Sequence, residues 1–143
     1  MLKGIHPAIS PDLLSTLSKM GHGDEILLAD AHFPAYSFNN NIIRADGVGI
    51  DTLLKGIVPL FDLDQYVEKP IFMMRAVSGD ELDPSVEEKY MSAIVKHLGE
   101  RPKIERVERF AFYERTKGCF AVVLTGETAK YGNIILKKGV TTL

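Results

Sequence analysis

Residues 10–30 read SPDLLSTLSKMGHGDEILLAD, and the change of hydrophobic period within them decides the fold. The first half carries the signals of a helix. Ser10 is a good N-cap, Pro11 suits the first helical position, and Asp12 lies at the positive end of the helix dipole. Leu13, Leu14, Leu17 and Met20 line one face, and Gly21 is placed to take a left-handed C-terminal conformation. The second half, EILLAD, is apolar without a helical period and is bounded by turn residues. Glu25–Asp30 therefore reads as a short buried strand, with Asp30 just past its end.

The same alternation runs down the chain. IDTLLKGIVPLF begins as a helix with Asp51 as its cap, which Gly56 and Pro59 weaken and end. PIFMMRAV reads as a second buried strand. DPSVEEKYMSAIVKHLG repeats the helix grammar, with Asp83 as cap, Pro84 at the start and Gly99 at the end. Its inner side carries Val86, Tyr90, Ile94, Val95 and Leu98. KIERVER, CFAVVLTG and NIILKKGV supply further strands, while FAFYERTK fits helix or strand. Alternating strands and helices predict an α/β fold: one domain over residues 1–143, with a largely parallel (mixed) sheet flanked by helices.

Composition narrows the function. With 143 residues, 45% of them hydrophobic, the chain holds one domain with a real core. A net charge of -2 gives no electrostatic footprint for nucleic acid or an anionic membrane, so the expected partner is a small molecule or another protein. No apolar run approaches the roughly 20 residues needed to cross a bilayer, and the N-terminus lacks the apolar core of a signal peptide, which points to the cytoplasm. Cys119, the single cysteine, lies inside the apolar run GCFAVVL and is expected to be a core residue.

In such sheets ligands gather at the carboxyl ends of the strands. Three polar groups are expected there: His22, Asp24, Asp30 and His32; Arg109 with Tyr113, Glu114 and Arg115; and TGETAKYGN, Thr125–Asn133. GHGD around His22 reads either as a plain turn or as a site where glycines admit a ligand beside a proton-transfer imidazole. Asp30, following ILLA directly, is placed at the sheet edge. His22, Asp30 and His32 are suitable metal ligands in type, yet their spacing matches no compact zinc signature, and no metal or other cofactor is expected. TGETAKYGN does not match a phosphate-binding loop, but Tyr131 and Asn133 suit a neutral polyol: an aromatic body for C–H edges and an amide that donates and accepts. Asp62 and Asp64 in FDLD read as an ordinary loop, and Arg75 has no motif argument. His6 and His97 read as surface or helix-end residues.

Several stretches together resemble the family of fucose mutarotase and D-ribose pyranase. They are ISPDLLSTLSKMGHGDEILLADAHFPA, IRADG, FDLDQY, MMRAVSGDELDP, RFAFYERTKGCFAVVLTGE and AKYGNIILKKGVT, in the family's order and over nearly the whole chain. RFAFYER is similar to the fucose branch. The resemblance implies an enzyme that interconverts the α and β anomers of a reducing sugar, L-fucose, by opening and reclosing the ring without a cofactor. It implies His22 as the catalytic residue and Asp30, Arg109, Tyr131, Gly132 and Asn133 as substrate-binding residues. It also implies a homo-oligomer, a decamer built from pentamers, with active sites near subunit boundaries. Phe33, Phe38, Phe110 and Phe112 are candidates for packing between subunits or in the core. The segment Ala35–Asn41 departs most from the family and bears on which sugar is preferred. On this reading His22 transfers the proton, Asp30 orients the imidazole or a sugar hydroxyl, and Tyr131 is a candidate second proton-transfer group. The alternatives are a non-catalytic sugar-binding module associated with uptake, which has no use for His22, and a metal-dependent hydrolase, which needs His22, Asp30 and His32 to converge.

Overall fold

Strands that read as unbroken apolar runs belong where both sheet faces are covered. The computed structural model, which describes residues 1–143, places them so. In chain order the elements are α1 (Pro11–Lys19), β1 (Glu25–Ala29), α2 (Ala35–Phe38), β2 (Ile42–Ala45), α3 (Ile50–Ile57), β3 (Ile71–Met74), α4 (Pro84–Leu98), β4 (Ile104–Val107), α5 (Arg109–Lys117), β5 (Ala121–Thr125) and β6 (Ile134–Lys137). One six-stranded sheet runs in the order β2-β5-β1-β6-β3-β4. Pairs β2/β5, β5/β1 and β3/β4 are parallel, and β6 runs antiparallel between β1 and β3. Five strands thus point one way and β6 the other, the mixed sheet expected.

Side chains alternate across this sheet and build two cores. Ile26 and Leu28 of β1, Val123 of β5, Ile134 and Leu136 of β6 and Met73 of β3 join Leu13, Leu17, Leu53, Ile57, Tyr90 and Ile94 of α1, α3 and α4. On the other face Leu27, Val122, Ile135, Phe72 and Met74 pack with Phe33 and Phe112. Cys119 belongs to this second core, where burial pushes its thiol pKa up to about 12, so it is a packing residue.

Two local expectations need correction, and two segments without a settled reading take their form in the structure. Met20 in an extended conformation (ψ 135°) ends α1, and Gly21 instead donates its N–H to Asp24 Oδ2 at 2.7 Å; the left-handed residue is Gly23. Gly49, not Asp51, caps α3, and Asp51 lies in the first turn. FAFYERTK is helix α5, whose aromatics are spread around the helix and hide its period. Its first turn is fixed by the Glu108 carboxylate, which accepts from the N–H groups of Phe110 and Ala111. Ile42–Ala45 is an unexpected edge strand, too short, with only Ile43 buried, to show a pattern.

Candidate active site

Because β6 is antiparallel, its first residue lies beside the last residues of the other strands. Asp30 after β1, Met74 at the end of β3, Arg109 after β4 and Asn133 before β6 therefore share one sheet edge. A cavity of about 200 Å³ opens there, lined by Asp30, His32, Phe33, Met74, Tyr113, Tyr131 and Asn133, among others. That volume suits a monosaccharide rather than a drug-sized ligand.

Asp30 is the buried acid of this cavity, 5% exposed. Burial drives its pKa up; the N–H of His32 (2.9 Å to Oδ1), the Asn133 side chain and the Gly132 backbone oppose that rise without cancelling it. Asn133 also accepts the Asp30 backbone N–H at 2.8 Å, so it holds both ends of the aspartate.

The segment before β6 is built with care. Tyr131 is the one non-glycine residue with a positive φ, 57°. Its hydroxyl donates to Asp80 Oδ2 at 2.8 Å, and the Val77 N–H donates weakly back at 3.4 Å. The ion pair with Lys130, the tyrosine hydroxyl and the Glu81 N–H hold the Asp80 carboxyl down at about 2. Tyr131 thus lines the cavity with its ring while its hydroxyl is engaged by Asp80. Gly132 packs where a Cβ would stand 2.9 Å from the Ala129 carbonyl, and its own carbonyl accepts from buried Tyr90 Oη at 2.7 Å. Tyr90→Phe should cost roughly 1–3 kcal/mol in thermal unfolding by leaving that carbonyl unpaired, and should loosen the cavity wall.

The remaining polar residues divide clearly. Arg109, exposed, stands 5.7 Å above the Tyr113 ring that lines the cavity, and with Arg75 borders an adjoining cleft of about 460 Å³. Arg115 turns away to a bidentate pair with Glu25 and Glu114 pairs with Lys117. Glu127 is buried and pairs with Lys89 at 3.1 Å, while the Thr125 hydroxyl donates to the Ala29 carbonyl; both hold the loop. Phe33 and Phe112 are core, Phe38 stacks on Tyr113, and Phe110 is exposed.

His22 lies elsewhere. It and Asp24 precede β1, so they sit at the amino edge of the sheet, not the carboxyl edge expected for them. The five residues of β1 alone put about 16 Å between His22 and Asp30, at about 3.3 Å per residue. Asp30 therefore cannot orient this imidazole within one chain, nor do His22, Asp30 and His32 converge. His22 Nε2 instead meets Asp64 Oδ1 at 3.1 Å, with the Tyr66 ring 5.2 Å away. Asp64 was read as an ordinary loop residue. Its one sequence signal is the apolar company of FDLD, and no local spacing ties it to His22, 42 residues earlier.

A profile of the RbsD / FucU transport protein family matches residues 3–141. The chain is 68% identical to an L-fucose mutarotase of Actinobacillus pleuropneumoniae over 141 residues, 99% of this chain and 98% of that one. It is similar to the crystal structure of the fucose mutarotase in complex with L-fucose from Streptococcus pneumoniae, with TM-score 0.93 and 50% identity, covering 99% of this chain and 100% of that chain. Bacillus subtilis RbsD complexed with D-ribose aligns with TM-score 0.75 over 99% of this chain and 100% of that chain; at 21% identity this likeness concerns the fold.

Proposed function

The chain belongs to the RbsD / FucU transport protein family, and from that premise we propose that it is an L-fucose mutarotase, a cofactor-free isomerase working in the cytoplasm as a homodecamer. The observation that carries this reading is the buried acid Asp30, with its raised proton affinity, lining a monosaccharide-sized cavity beside Tyr131 and Asn133. The full-length similarity to L-fucose mutarotases supports the same substrate.

Mutarotation moves two protons. A base takes the proton from the C1 hydroxyl while an acid gives one to the ring oxygen, so the C1–O5 bond breaks and C1 becomes an aldehyde. Rotation about C1–C2 presents the other face, and the same transfers in reverse reclose the ring as the other anomer. Water performs this slowly, so positioned acid–base groups, each worth about 10²–10⁴, together with orientation of the sugar, suffice. Asp30 is one such group. Arg109 holds sugar hydroxyls, and Tyr131, Gly132 and Asn133 fix the ring.

The second proton carrier in this reading is His22. Its side chain is 47% exposed at the far edge of the sheet, which supports its reaching the cavity of a neighbouring copy rather than that of its own chain. The ring oligomer supplies that neighbour, and each active site takes Asp30 from one subunit and His22 from another.

Exchange NMR on the anomeric protons tests the reaction. L-fucose should exchange faster with the protein than in buffer, and faster than D-ribose or D-galactose. Saturation transfer without faster exchange would mark a binding module instead.

A further inference from the structure

We propose that Asp64 is the positioning residue for His22, fixing the tautomer and direction of the imidazole that transfers the proton; this rests on the assignment of His22 above. Asp64 is 4% exposed in a loop otherwise open to solvent. Its Oδ1 receives both His22 Nε2 (3.1 Å) and the Tyr66 N–H (3.0 Å). Burial works against the charge on this carboxyl, but those two donors outweigh it and keep the group ionised. An ionised carboxylate only accepts, so in the neutral ring Nε2 carries the hydrogen and Nδ1 the lone pair. The ring is thereby set as a base through Nδ1.

The seat is rigid. The His22 loop is tied to β6's extension by Gly23 N–H to the Lys138 carbonyl (2.8 Å) and Lys138 N–H to the Asp24 carbonyl (2.9 Å). The Asp64 loop is tied to the same extension, by Asp64 N–H to the Lys137 carbonyl (2.9 Å) and a β-bridge between Leu63 and Lys138. Gly139 has no room for a Cβ against Leu63 and Gln65, so the two strands of chain lie in direct contact. GHGD, FDLDQY and KKG, far apart in sequence, are one construction whose product is the orientation of a single imidazole. Such a partner typically costs 10–100-fold in activity when lost.

Asp64→Asn keeps the shape and removes the charge. Its kcat for L-fucose exchange should fall about ten- to a hundredfold with KM within about twofold, and it should add nothing to the loss in His22→Ala. In the wild type, the ¹⁵N spectrum of the neutral His22 ring should show the Nε2–H form alone, a measurement that does not depend on the variant folding. Wild-type kcat in Asp64→Asn, an equal slowing on the His22→Ala background, or a ring protonated at Nδ1 would each overturn the proposal. Undiminished exchange in His22→Ala is a different result: it overturns the assignment of His22, and this inference falls with it.

Discussion

Asp30→Asn should lower the rate of L-fucose anomeric exchange by about 10²–10⁴ while leaving the fold as stable as before or more so. The two effects have one origin. Burial raises the proton affinity of Asp30, which suits it to the proposed proton-transfer role and makes it a liability to the folded state when ionised. The sign follows from linkage. Between 3.8 and its higher folded pKa the native state binds more protons than the unfolded chain, so stability contributed at this site falls as pH rises through that window and is flat above it. Asparagine keeps the oxygen that accepts from His32 N–H and leaves the Asp30 N–H to Asn133 bond untouched. Thermal melts of wild type and variant should therefore diverge in the variant's favour from about pH 4 upward and coincide near pH 3.5. A variant equally active, or one whose melting deficit grows with pH, would remove Asp30 from the proton-transfer role.

His22→Ala should cost kcat a similar factor, about 10²–10⁴, for a different structural reason. His22 lines no part of the cavity of its own chain, so the sugar-binding residues proposed above, Asp30, Asn133, Tyr131 and Arg109, are untouched, and KM should move little. The main-chain bonds of Gly23 and Lys138 keep the loop in place, but buried Asp64 is left with the Tyr66 N–H alone, so the variant should stay folded with a melting temperature lowered by the roughly 1–3 kcal/mol that a lost partner of a buried acceptor costs. Added imidazole should restore part of the rate, since on the proposed assembly the site would lack only a base. A large rise in KM with kcat preserved would make His22 a sugar-binding group and nothing more.

The parts of this molecule that were legible in the sequence are those whose cause is local. Ser10-Pro11 and Asp83-Pro84 announce α1 and α4 because capping acts over three residues. EILLA, IFMM and AVVLT announce buried strands because both faces must be apolar. Asp30, Tyr131 and Asn133 were legible as polar residues at strand ends. What was hidden is what depends on direction or distance. The reversal of β6 brings Asn133 to Asp30, yet nothing in NIILKKGV states which way it runs. His22 and Asp30 are only eight positions apart, and that proximity misleads, because a buried strand puts its two flanks at opposite edges of a sheet. Asp64 and Asp80 were invisible as partners of His22 and Tyr131 because each pair closes a loop of some fifty residues, where sequence spacing carries no signal.

The most direct test mixes two inactive proteins. His22→Ala and Asp30→Asn, each alone, should exchange the anomers of L-fucose little faster than buffer. Co-expressed, or unfolded and refolded together in equal amounts, they should recover about a quarter of the wild-type rate, because with random assembly about a quarter of the sites pair an intact Asp30 with an intact His22 from the neighbouring subunit. Exchange that stays at the level of the single variants in a properly assembled mixture would contradict a site built from two chains.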